Sequence, residues 1–200
     1  MKQWKPGLLL GDSSVLERTV ETAAIAGGGI IVVGGERFQD LQELLADMQP
    51  RKQQGAGEPV RQEDGTAGIW LVRNNNPELG MLSSVQAGVR EVRAARYFIA
   101  LGDMPFVQRK TYLKLMEEAS GRPCQLRDVL IPRCNGKDGH PVLLSQEHTE
   151  AVLSADSRSS SLRDVLAPFP KRFVTVEDKG IAIDLDTPED YRRMCGTTLP

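Results

Sequence analysis

The chain reads as a three-layer α/β domain built on a mostly parallel sheet. Two observations predict this. Short apolar runs alternate with segments of helical periodicity along nearly the whole chain, as in successive βαβ units. Two of the apolar runs also stop at an aspartate and turn at a proline: Tyr97-Phe98-Ile99-Ala100-Leu101-Gly102-Asp103-Met104-Pro105 and Gly180-Ile181-Ala182-Ile183-Asp184-Leu185-Asp186-Thr187-Pro188. In open parallel sheets ligands bind beyond the carboxyl ends of the strands, and carboxylates there are oxygen ligands for a cation such as magnesium. The first expectation is an enzyme that handles a nucleoside triphosphate.

Residues 15–26 are predicted helical, with Ser13 or Ser14 as cap and Glu17 closing the capping pattern. Residues 30–33 form a buried strand fenced by glycines, and Leu41, Leu44, Leu45 and Met48 place a helix over 38–48. Residues 50–68 are polar and aperiodic, a long loop. A strand at 69–72 leads through the turn cluster Asn74-Asn75-Asn76-Pro77 to a helix over 83–95, capped by Ser83 or Ser84. Further strands are expected at 97–101, 129–131, 142–144, 173–176 and 181–183, and helices at 108–119, 146–153, 161–166 and 188–194. No linker or repeat divides the chain, so residues 1–200 are expected to form a single domain.

The 200 residues carry 25 Lys and Arg against 27 Asp and Glu, a net charge of −2. That balance speaks against binding a nucleic-acid backbone. No apolar stretch is long enough to span a membrane, and the amino terminus lacks a signal-peptide core. Cys124, Cys134 and Cys195 form neither a disulfide framework nor a zinc pattern, which fits a reducing cytoplasm.

Asp103 is the leading candidate. An aspartate is also a common turn residue, but Gly102 lets the backbone approach a ligand and Pro105 fixes the exit from the strand. Asp186 is read as the cap of the closing helix, which leaves Asp184 as the second metal ligand. Asn74, Asn75, Asn76, Gly80, Ser83 and Ser84 form a polar loop entering a helix, suited to a nucleotide or simply to a turn and cap. His140, in Gly139-His140-Pro141, can donate to a phosphate or a second substrate, or can be a turn histidine. His148 is expected on the solvated surface. Lys5 can neutralise a triphosphate as a point charge or be merely a basic terminus. Gly27-Gly28-Gly29 and Gly34-Gly35 do not make a dinucleotide-binding fingerprint.

Taken in order, residues 8–20 (LLLGDSSVLERTV), 76–88 (NPELGMLSSVQAG), 101–107 (LGDMPFV), 139–144 (GHPVLL) and 184–191 (DLDTPEDY) resemble the nucleotidyltransferases of molybdenum cofactor synthesis. Relatives that transfer guanylyl groups share text like LGDMPFV, whereas GHPVLL and DLDTPEDY look more like the cytidylyl branch. The resemblance implies a Rossmann-like nucleotidyltransferase fold. It implies attack of a molybdopterin phosphate, or another phosphorylated small molecule, on the α-phosphate of CTP (or GTP), with release of pyrophosphate. It implies magnesium at Asp103 and Asp184, a nucleotide loop at Asn76 and Ser84, and the signature lysine at Lys5, which with Asp103 is the catalytic candidate; the residues themselves add Gly80 and Gly102 on the nucleotide side and His140 on the substrate side. A molybdoenzyme or maturation factor is the protein partner it implies. The alternative is a non-catalytic remnant that binds nucleotide or a partner.

One departure from the family pattern carries its own expectation. The family opens with a strand and a glycine-rich signature. Here Met1 falls at the signature's methionine, Lys5 at its lysine, and Lys2 where a glycine would stand. In the family's topology that first strand lies mid-sheet. Without it, buried backbone groups would go unpaired at about 1–3 kcal/mol each. Residues 5–10 would shift into the slot, a second chain would fill it, or the chain would fold poorly. The last is expected, with little cytidylyl transfer unless the signature is added.

Overall fold

The computed structural model describes residues 4–48, 68–121 and 125–183. The amino-terminal part is a 3-10 turn at Lys5–Gly7, then the two-residue strands β1 (Leu9–Leu10) and β2 (Ser13–Ser14), which pair antiparallel. Helix α1 (Val15–Ala23) follows directly. Its cap is the serine the sequence offered: the Ser14 amide donates to Glu17 Oε2 (2.6 Å), and the Glu17 amide donates to Ser14 Oγ (3.1 Å). A 3-10 turn over Ala24–Ala26 ends at Gly27, where φ is 74°.

Strand β3 (Ile30–Gly34) leads to α2 (Phe38–Leu44), and β4 (Ile69–Arg73) pairs with β3 in parallel. Helix α3 (Met81–Val89) starts earlier and stops earlier than expected. Just past its end the Arg93 guanidinium donates to the carbonyls of Arg90 (2.8 Å) and Val92 (3.2 Å). Strand β5 (Arg96–Ile99) and α4 (Arg109–Ser120) come next, then β6 (Val129–Cys134), β7 (Lys137–Asp138) and β8 (Val142–Ser145). Helices α5 (Thr149–Ser154) and α6 (Leu162–Leu166) precede β9 (Lys171–Thr175).

The second sheet has five strands in the order β5-β8-β6-β7, with β9 also on β6. Strand β8 runs antiparallel to both β5 and β6, while β9 runs parallel to β6. The strands β5, β6 and β9 therefore share one direction, with β8 inserted in reverse.

Alternation along the strands makes the layers. On one face Tyr97, Val129, Val142 and Leu144 pack with Leu82 and Val89 of α3, Val152 of α5 and Leu166 of α6. On the other face Leu130, Leu143 and Val174 pack with Leu115 and Ala119 of α4. The smaller sheet repeats the pattern. Ile30, Val32 and Ile69 pack with Leu16 and Val20 of α1 and Leu41 of α2. A Cβ at Gly88 of α3 would meet Val33 (3.0 Å) and Ile31 (3.8 Å) from the opposite face. Helix α3 thus covers both sheets.

Two expectations, and one of the alternatives for the amino terminus, are corrected. Residues 5–10 do not become a strand beside β3 or β5. The tight β1–β2 turn, with φ of 70° at Gly11 and the Val15 amide bonded to the Leu8 carbonyl (2.8 Å), ties them to the start of α1. Among the described residues β3 and β5 each keep one edge without a strand partner. The run 181–183 is not a strand: Lys179–Ala182 is a 3-10 turn whose first amide bond is made by the Asp178 side chain. His148 is not at the surface. It is fully buried, its Nδ1 accepting the Ser145 amide (3.1 Å) and its Nε2 3.2 Å from the Arg127 carbonyl, with the ring 4.7 Å from that of Phe169. A histidine that bonds two backbone groups closes a short helix start better than it solvates. The loop 50–67, the helix 188–194, Asp184, Asp186, Cys124 and Cys195 lie outside the described residues.

Candidate active site

Asp103 sits in the turn between β5 and α4. Its neighbours hold it from below: Met104 and Val107 are buried with Tyr112 of α4, and Phe106 packs with Leu10 and Val15. A Cβ at Gly102 would lie 3.2 Å from Leu16 of α1, so the chain passes close to that helix at this point. Met104 and Pro105 after it are buried, while the Asp103 side chain stays partly exposed. Lys5 Nζ lies 3.6 Å from Asp103 Oδ2, and the two side chains are 26% and 29% exposed. Lys5 is placed by its 3-10 turn, closed by the Leu8 amide on the Lys5 carbonyl (3.0 Å), and by Trp4, which lies over Gly7 and under Arg37.

At 3.6 Å the pair is longer than the 2.7–2.9 Å of a charge-assisted hydrogen bond. A partly exposed pair of this kind contributes at most about 1 kcal/mol to stability. Both side chains are partly exposed, and a carboxylate and an ammonium are the kinds of group that bind a cation and a phosphate.

His140 approaches from a different loop. Its amide donates to the Ile181 carbonyl (3.0 Å), and its Nδ1 lies 3.3 Å from the carbonyl of Ile99, the last residue of β5 before the Asp103 turn. The structure therefore brings Lys5 to Asp103 and ties His140 to the strand that delivers Asp103.

Asn76 and Gly80 belong to the loop between β4 and α3, and Ser84 to the first turn of α3. The residue that organises it is Asn74, which is buried: its Nδ2 donates to Ser83 Oγ (2.8 Å) and Ser84 Oγ (3.0 Å), and its Oδ1 accepts the Asn76 amide (3.0 Å). Ser83 Oγ in turn lies 2.7 Å from the Gly80 carbonyl, so neither serine is the conventional cap; Gly80 stands at that position with φ of 86°. The sequence named these polar residues as a group. It could not show that the innermost asparagine holds the others.

The sequence missed Asp178. It is completely buried, and its carboxylate accepts from the Gln108 amide (2.8 Å), Thr111 Oγ1 (2.6 Å) and the Gly180 amide (2.9 Å). Burial, and next the charge of Asp178, push the Tyr112 phenol above its ordinary value. In the sequence Glu177-Asp178-Lys179-Gly180 looks like a solvated charged turn.

Among the described residues no group of three or more His, Cys, Asp or Glu side chains is placed to hold a metal ion. A single partly exposed carboxylate still fits the way magnesium is held on a nucleotide, by one or two carboxylates together with phosphate oxygens and water. No helix among the described residues is long and apolar enough to cross a membrane.

The fold is a layered α/β domain with a carboxylate beside a lysine in the turn after β5, and comparison with known proteins gives its family. Residues 1–175 match the MobA-like NTP transferase domain, and the chain belongs to that family. The molybdenum cofactor cytidylyltransferase of Escherichia coli K12 is 27% identical over 195 residues, covering 96% of this chain and 86% of the relative. A probable molybdenum cofactor guanylyltransferase of Methanosarcina acetivorans is 25% identical over 174 residues, covering 81% of this chain and 75% of the relative. The crystal structure of Rv0371c from Mycobacterium tuberculosis H37Rv in complex with manganese superposes with a TM-score of 0.69 at 20% identity, covering 98% of this chain and 94% of that one. The expected Rossmann-like nucleotidyltransferase fold is thereby established.

Proposed function

We propose that the protein transfers a cytidylyl group from CTP to the phosphate of molybdopterin. The observation that carries this reading is the Lys5–Asp103 pair, 3.6 Å apart, with Asp103 in the turn after β5, in a chain of the MobA-like family. Support for CTP over GTP comes from the cytidylyltransferase relative, which is 27% identical over 96% of this chain, against 25% over 81% for the guanylyl relative.

In this reaction an acceptor phosphate oxygen attacks the α-phosphorus of CTP. The bond to the bridging β-phosphate oxygen breaks, and pyrophosphate leaves with its electrons. Such transfers need positioning and charge neutralisation more than covalent help. Lys5 places a point charge on the triphosphate. Asp103 and Asp184 are the carboxylates that would hold a divalent cation, which supplies Lewis-acid polarisation of the phosphates when bound; the manganese complex of the M. tuberculosis protein supports a divalent ion in this fold. Gly102 gives the phosphates room, and Asn76, Gly80 and Ser84 present the loop that faces base and ribose. His140 lies on the acceptor side.

Incubation of the purified chain with magnesium, molybdopterin and each α-labelled nucleoside triphosphate tests the proposal. Label should pass to the pterin with CTP and be lost in Asp103→Ala. Transfer from GTP in preference to CTP would reassign the nucleotide. Tight magnesium–CTP binding with no transfer to any phosphorylated acceptor would favour the non-catalytic alternative.

A further inference from the structure

Resting on that reading of the site, we infer that Asp178 is its positioning residue: the buried carboxylate fixes where the Asp103 turn and His140 sit relative to each other. A buried carboxylate costs several kcal/mol unless its oxygens are satisfied. Asp178 meets this cost with neutral donors only, and no cation pairs with it among the described residues. Its Oδ2 takes the Gln108 amide and the Thr111 hydroxyl at the start of α4. Gln108, the cap residue of that helix, makes no side-chain cap bond of its own, so a residue 70 positions later caps it. A serine at Gln108 would have capped α4 locally. The remote carboxylate does something a local cap cannot, because it joins α4 to a second segment.

That segment is wedged among the candidate site loops. Asp178 Oδ1 holds the Gly180 amide at 2.9 Å. A Cβ on Gly180 would fall 2.0 Å from the Phe106 carbonyl oxygen, so the glycine backbone lies flat against the turn that carries Asp103. A Cβ on Gly139 would fall 1.9 Å from the Ile181 oxygen, the same oxygen that accepts the His140 amide at 3.0 Å. One short stretch, 178–181, therefore touches the first turn of α4, the backbone of Phe106 and Val107, and the loop of His140. The chain continues from it through Ile183 to Asp184. Any displacement of Asp178 is passed to the Asp103 turn and to His140 together.

The test uses the full chain with Asp178→Asn and the milder Thr111→Val, followed by two readouts. Amide exchange is measured at His140, which does not touch Asp178, and at strands β6 and β8. Calorimetry gives the affinity for CTP with and without manganese. Both variants should speed exchange at His140 while β6 and β8 keep the parent's protection. Both should weaken manganese–CTP binding, by roughly tenfold in Asp178→Asn as for lost outer-shell partners of a metal site and by less in Thr111→Val, with metal-free CTP binding unchanged. Should Asp178→Asn unfold, Thr111→Val decides. Unchanged exchange at His140 in the folded variants would reduce Asp178 to a local cap of α4 and overturn the inference. A parent chain that binds no manganese–CTP would instead overturn the proposed function, and the exchange at His140 would still decide the role of Asp178.

Discussion

Lys5 and Asp103 differ in how far the sequence alone exposes them. Asp103 stands out because an apolar strand, a glycine and a proline frame it. Lys5 has no such frame and is a candidate through family resemblance; only the fold shows that the two are 3.6 Å apart. His148 is misread and Asp178 is not singled out for one reason: a polar residue that buries itself against another segment of the chain leaves no periodic trace. Tyr112 reports on that burial. Its phenol titrates above the ordinary 10.0 because burial, then the Asp178 charge, disfavours the phenolate. A raised acid pKa in the folded state means that the stability it contributes is present below pH 10 and is lost as pH rises through the folded value. An alkaline titration followed by tyrosinate absorbance and by circular dichroism should show Tyr112 ionising only as the fold is lost. Ionisation near pH 10 with the fold intact would contradict its burial.

Elements were legible where the pattern was local. The Ser14–Glu17 capping box is readable from four residues, and α1 begins where it says. Ser14→Ala should cost about 1 kcal/mol, seen as a fall in Tm of roughly 2–4 °C for a chain of this size; no change would mean the cap contributes nothing. Helix α6 has the same device, Ser161 with Asp164, whose carboxyl is held below its ordinary value by the Ser161 hydroxyl and amide. A lowered carboxyl pKa gives stability that is present above the ordinary value of 3.8 and lost as pH falls through the lower one. The run 181–183 was misread because its composition is that of a strand; the Asp178 side chain and Gly180 impose a turn there instead.

The layered architecture followed from strands alternating with helices along the chain, and successive residues of β5, β6 and β8 do face opposite helices. What alternation could not give is the division of the strands into separate sheets. In β3 the Ile30 amide bonds the Gly68 carbonyl and the Gly34 carbonyl takes the Asn74 amide, both at 2.8 Å, so Ile31 and Val33 point their backbone groups away from β4. In β5 the Gln146 amide on the Ala95 carbonyl sets Tyr97 and Ile99 toward β8, and Phe98 away from it. Amides of Ile31, Val33 and Phe98 should therefore exchange faster than those of Val32, Tyr97 and Ile99; equal protection would show that both edges are paired in solution. The central claim is that Asp103 holds a divalent cation on a bound nucleotide, and calorimetry tests it most directly. The parent chain and Asp103→Ala are titrated with CTP, with and without magnesium. Magnesium-dependent CTP binding is expected in the parent and is lost in the variant, with unchanged Tm. Equal magnesium-dependent affinity in the two proteins would contradict it.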